Sequence, residues 1–113
     1  MSASSDTEAV VVLTTIGTAD DAEALARALV DENLAACVGI LPDMRSIYRW
    51  QGETVAEHER QLIIKTTAGR VEALRGRLHA LHPYELPEFL VLPVAEGSTE
   101  YLQWIADNTA AGG

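Results

Sequence analysis

The sequence predicts an α+β sandwich with the element order βαββαβ, closed by one further helix and carrying a long projecting hairpin between its second and third strands. Three observations predict it. Val10, Val11, Val12 and Leu13 form an unbroken apolar run, as a strand covered on both faces requires. Two stretches, Ala22 to Val30 and Val71 to Leu81, repeat apolar residues at helical spacing. Two strand-like arms flank the turn pair Gln51-Gly52.

The elements follow in order. The first strand runs from Ala9 to Thr15 and, being apolar throughout, occupies the centre of the sheet. Thr18 is placed to N-cap the first helix with Asp21 at N3, and Asp20, Asp21 and Glu23 suit the positive end of its dipole. Ala22, Leu25, Ala26, Leu29 and Val30 then form one stripe, so a helix from about Asp20 to Asn33 packs on the sheet.

Leu34 to Leu41 is a short apolar run, and Pro42-Asp43 breaks or bulges the second strand before it resumes at Met44. From there Met44, Ser46, Tyr48 and Trp50 alternate with Arg45, Ile47 and Arg49. The return limb, Glu53 to Thr67, begins with good helix formers but ends in the strand-like run from Leu62 to Thr67, and pairing it with the preceding arm makes it one long strand. Arms of ten or more residues exceed what so small a domain covers, so the tip is expected to project and meet another chain. The aromatic pair Tyr48 and Trp50, with Arg49, reads as an interface anchor.

Val71, Leu74, Leu78 and Leu81 mark the second helix, which Pro83 ends. The stretch from Leu86 to Val94 carries a short fourth strand, and Ser98 N-caps a last helix with apolar Tyr101, Leu102 and Ile105, with Trp104 beside them. With right-handed crossovers this order gives the split βαβ, ferredoxin-like sandwich. That fold hosts many functions and selects none.

The chain has 113 residues and is 48% apolar, enough for one domain with a core and too short for two. Residues 1–8 read as a frayed extension, 9–108 as the domain and 109–113 as a tail. A formal charge of −9 leaves no electrostatic footprint for nucleic acid or an anionic membrane surface. The single cysteine, Cys37, can form no internal bridge and sits in an apolar run as an inert core thiol; the start lacks the pattern of a signal peptide, so a cytoplasmic setting is expected.

No nucleophilic constellation, phosphate loop or zinc spacing stands out, so no enzyme is predicted. The chemistry-bearing segment is His82-Pro83-Tyr84-Glu85-Leu86-Pro87-Glu88. It can offer nitrogen and oxygen ligands to a divalent ion, or polar contacts to a small molecule. The same residues also read as a histidine at a helix end, a packed tyrosine and solvated glutamates. His58 and His79 read as surface residues.

The segments 34–38, 46–52, 62–66 and 82–88, in this order and spacing, resemble the CutA divalent-cation tolerance proteins, and the resemblance runs from about Val10 to Trp104. It implies a ferredoxin-like protomer assembled into a tight homotrimer through the long hairpins, similar to the PII signalling proteins. It implies a role in tolerance of divalent metals, copper especially, without catalysis or an obligatory cofactor. By position it places Tyr48, Trp50, Lys65, Tyr84 and Trp104, with His82 and Glu88, at or near clefts between subunits. Copper-associated bacterial members can carry a Cys after the first strand and a His-His pair before the Pro; here Leu13-Thr14-Thr15 and Leu81-His82-Pro83 stand there, and Gly39 replaces the family's Asn. Without thiolate, the metal set His82, Glu85 and Glu88 implies a weak, hard-to-borderline site for Cu(II), Zn(II) or Ni(II). Two alternatives stand beside it: a PII-like sensor holding a small ligand in the cleft, with Lys65 and Arg49 as anion contacts, and a structural scaffold.

Overall fold

The structure, a computed structural model, describes residues 4–111. After a helical turn, α1 (Ser4–Thr7), the chain forms β1 (Ala9–Gly17), α2 (Ala22–Asp31), β2 (Cys37–Trp50), β3 (Glu53–Thr67), α3 (Val71–Leu81), β4 (Leu90–Pro93) and α4 (Thr99–Asp107). A single 3-10 turn, Ala68–Arg70, leads into α3. The sheet order is β2-β3-β1-β4, antiparallel throughout. This is the sandwich expected from the sequence.

Within the segment read as a frayed extension, α1 lies against the 3-10 turn, with Asp6 over Gly69 and the Ala68 N–H donating to the Glu8 carbonyl at 2.9 Å. The rest of that segment, residues 1–3, and the end of the tail, 112–113, lie outside the described residues.

Apolar alternation fixes which face of the sheet is covered. Val10, Val12, Leu62 and Ile64 pack against Leu25 and Leu29 of α2 and Leu74 and Leu78 of α3, and this cluster is the core. Thr14, on the same row, has a hydroxyl enclosed without a hydrogen-bond partner among the described residues.

The first helix starts later than expected. The Asp20 N–H closes a turn on the Gly17 carbonyl at 3.1 Å, which takes Thr18 out of the capping position. Asp21 caps instead, its carboxylate accepting from the Ala24 N–H at 2.9 Å. At the far end Asn33 takes a left-handed φ of 59°, and the helix stops at Asp31.

The hairpin arms are 14 and 15 residues long, with the expected irregularity between Ile40 and Asp43. Gln51 and Gly52 both have positive φ, 50° and 82°, the signature of a tight I′-type turn whose twist matches the strands. The arms project, and the molecule measures 45 × 26 × 23 Å.

The fourth strand is shorter than the run that announced it. Leu90–Pro93 pairs only with Val10 to Leu13, leaving the edge of β1 beyond Leu13 to the preceding loop. Its residues are all exposed within the single chain, as are Ile47, Leu86, Tyr101 and Trp104.

Candidate functional site

The two-residue turn sets the register of the hairpin, and the register assembles the site. Trp50 faces Glu53, Tyr48 faces Val55, Ser46 faces Glu57 and Met44 faces Glu59, so each pair shares one face of the ribbon. β1 continues that face, with Thr15 opposite Gln61. The result is a row of carboxylates beside a row of aromatics.

The loop after α3 closes the other side. His82 is buried, 7% exposed, and its Nε2 bonds to the Thr15 carbonyl at 2.6 Å, on the edge of β1 that β4 leaves free. Its Nδ1 accepts the Tyr84 N–H at 3.1 Å, which makes Nε2 the donor. The two rings lie 4.7 Å apart. Glu88 is held by Gln61, whose amide donates to its carboxylate at 3.0 Å and to the Thr14 carbonyl at 2.7 Å.

Between the hairpin and this loop lies a cavity of about 510 Å³. Glu57, Glu59, Glu85 and Glu88 line it with Tyr48, Trp50 and Tyr84, and among the described residues Arg49 is the one basic residue on its wall. The Tyr84 hydroxyl donates to Glu59 at 2.8 Å, and the Tyr48 hydroxyl donates to Glu57. Burial, then the bond to Glu59 and the carboxylate charges, push the Tyr84 phenol well above the ordinary tyrosine range. For Tyr48 the bond to Glu57 comes first, and its pKa is pushed up to about 12. Both phenols therefore stay protonated at neutral pH and serve as donors.

The residues expected to bind metal do not gather around one point. Both ring nitrogens of His82 are engaged, and among the described residues no group of three His, Cys, Asp or Glu side chains is placed to hold a metal ion. Glu85 and Glu88 face the cavity while His82 serves the loop. Of the expected cleft residues, Tyr48, Trp50 and Tyr84 share the cavity. Lys65 and Trp104 belong to a second cluster on α4, where the Lys65 Nζ lies 3.3 Å from the Tyr101 hydroxyl and Tyr101 stacks on Trp104 with centroids 5.4 Å apart. Lys65 and Arg49 are thus not joined as one anion site, and Arg49 donates to the Gly52 carbonyl at 3.3 Å. His58 is exposed beside Asp43 at 3.2 Å.

The sequence reading missed Glu57, Glu59 and Gln61. The signal was present: a two-residue turn at Gln51-Gly52 counts Glu57 and Glu59 onto the face of Tyr48 and Trp50.

The model of the CutA1 divalent ion tolerance protein family matches residues 10–108. The chain belongs to that family. It is 52% identical over 99 residues to the divalent-cation tolerance protein CutA of Thermus thermophilus, spanning 88% of this chain and 96% of the relative. The solved structure of CutA1 from Oryza sativa superposes with a TM-score of 0.88 at 35% identity, covering 93% of this chain and 96% of that one. The structure described as the periplasmic divalent cation tolerance protein CutA from Archaeoglobus fulgidus superposes at 0.86 with 29% identity, over 90% of this chain and 99% of that one. Among the described residues of this family member, no helix is long and apolar enough to cross a membrane.

Proposed function

We propose that this CutA1 family member serves divalent-cation tolerance by binding ions rather than by catalysis, as a homotrimer whose subunits complete the cavity beside the hairpin. The observation that carries the ion-binding part is the wall of that cavity, which among the described residues sets four carboxylates against one guanidinium. Carboxylate oxygens suit hard and borderline divalent ions, and an ion held by one or two of them keeps much of its water and binds weakly. Cu(II), Zn(II) and Ni(II) are the ions to test. The carboxylates of Glu57, Glu59, Glu85 and Glu88 are the donors in this reading, because the His82 nitrogens are already engaged, Nε2 with the Thr15 carbonyl of β1 and Nδ1 with the Tyr84 N–H.

Assembly is supported by the apolar surface that the single chain leaves in solvent. Leu86 is 70% exposed, Ile47 69% and Leu90 54%, and an apolar edge strand left exposed is a pairing surface. Three copies, rather than two, follow from the family resemblance. A reducing, cytoplasmic setting fits the free thiol of Cys37.

Titration calorimetry of the assembled protein with each ion, on wild type, Glu59→Gln and His82→Ala, tests the binding. Saturable heat that Glu59→Gln abolishes supports the reading. Equally negligible heats in wild type and variant overturn it. Light scattering tests the assembly, which requires three times the 12.2 kDa of the chain.

A further inference from the structure

Glu59 is in an unusual position for a carboxylate. It is 6% exposed, yet its hydrogen bonding is confined to one oxygen: Oε2 accepts from Tyr84, and Oε1 has no hydrogen-bond partner among the described residues. The side chain lines the cavity, and Oε1 is not among the fully enclosed atoms. Oε1 is thus open to the cavity, and a cation placed there meets a carboxylate oxygen that no protein donor occupies. The cavity therefore calls for a positive ligand at Glu59.

Two features separate the kinds of cation. The carboxylates are spread around the wall and form no three-ligand group, which disfavours tight inner-sphere capture of a single ion. Tyr48, Trp50 and Tyr84 share the wall with them and offer apolar and aromatic surface that attracts organic cations. A volume of about 510 Å³ falls within the ordinary range for small-molecule sites. Several carboxylates that form no single ligand group, on a wall shared with three aromatic rings, match a molecule with separated positive charges joined by a methylene chain.

We infer that the cavity takes an aliphatic diamine or polyamine, with one ammonium group donating to Glu59, a second at Glu57 or Glu85, and the methylene chain on Trp50 and Tyr84. The assignment rests on the reading of the cavity as a cation site and names its organic ligand. The ammonium supplies the hydrogen bonds that Glu59 Oε1 lacks, and the chain covers ring surface that is otherwise wet. An amine so held competes with divalent ions for the same oxygens.

The test is calorimetry at neutral pH on the assembled protein with 1,6-diaminohexane, its neutral isostere 1,6-hexanediol, and Zn(II). Saturable diamine binding is expected, at least tenfold weaker in Glu59→Gln, several-fold weaker in Trp50→Ala, and absent for the diol. Zn(II) added first should weaken the diamine. Diol binding equal to diamine binding, or diamine binding unchanged in Glu59→Gln, overturns the proposal. Zn(II) heat without diamine heat overturns the amine and leaves the cation reading standing, whereas absence of both overturns both. Should Glu59→Gln fail to fold, the double variant Glu57→Gln with Glu85→Gln carries the comparison, and diamine binding unchanged in it overturns the proposal.

Discussion

Tyr84→Phe deletes one oxygen and leaves the ring in place, so it isolates the bond between the α3–β4 loop and the hairpin. In the native chain that hydroxyl donates at 2.8 Å to a carboxylate that is 6% exposed. A hydrogen bond to a charged group contributes about 1.5 to 3 kcal/mol, and its loss strands Glu59 with no protein partner. The phenol itself is only partly buried, and water entering from the cavity recovers some of the loss, so the expected cost is about 1 to 2 kcal/mol. Urea unfolding at one fixed protein concentration measures it as a lower midpoint with unchanged slope. Tyr48→Phe is the control, because that phenol meets Glu57 in the open and solvent replaces it more completely. Equal stability of Tyr84→Phe and wild type, or a loss no larger than that of Tyr48→Phe, refutes the claim that Tyr84 anchors a buried carboxylate.

Three further outcomes follow from the same geometry. The raised folded-state pKa values of Tyr48 and Tyr84 give stability that is fully present below about pH 10, the unfolded tyrosine value, and is lost as pH rises through about 12 for Tyr48; absorbance titration should show these two phenolates forming late, and Glu57→Gln should bring Tyr48 back down. Gly52 sits at φ 82° with open space around it, so Gly52→Ala should cost about 1 kcal/mol through backbone strain alone, read by urea unfolding, with Gly52→Asn costing less. Leu92 lies exposed on the edge strand, so Leu92→Asp should lower the assembled mass in light scattering while the circular dichroism of the chain stays α+β.

Much of the fold was legible because it rests on local patterns. The run from Val10 to Leu13, the stripes of the two helices, the Pro42 irregularity and the Gln51-Gly52 turn each carry their own signal. The start of α2 was not, because Thr18 and Asp21 are both competent caps and a turn on Gly17 decides between them. Half of the site was legible in the same way. The loop from His82 to Glu88 announced itself by composition, and Tyr48 and Trp50 by alternation. What the loop does was hidden, since the partner of His82 is the Thr15 carbonyl, 67 positions away, and its exposure depends on β4 stopping at Leu90. A histidine with neighbours reads as a ligand from sequence, while in the fold both its nitrogens meet backbone groups. Glu57 and Glu59 were overlooked because charged residues on a long arm resemble a solvated face until the register sets them on the same face of the ribbon as Tyr48 and Trp50.

In the function proposed for it, this CutA1 family member meets cations in the cavity between hairpin and loop, not at the imidazole of His82. A crystal structure grown with Cu(II), with the metal located by its anomalous signal, tests that most directly. Density is expected in the cavity at carboxylate oxygens that include Glu59, with the His82 Nε2 still on the Thr15 carbonyl. Density on the His82 ring, or copper bound elsewhere with the cavity empty, would contradict it.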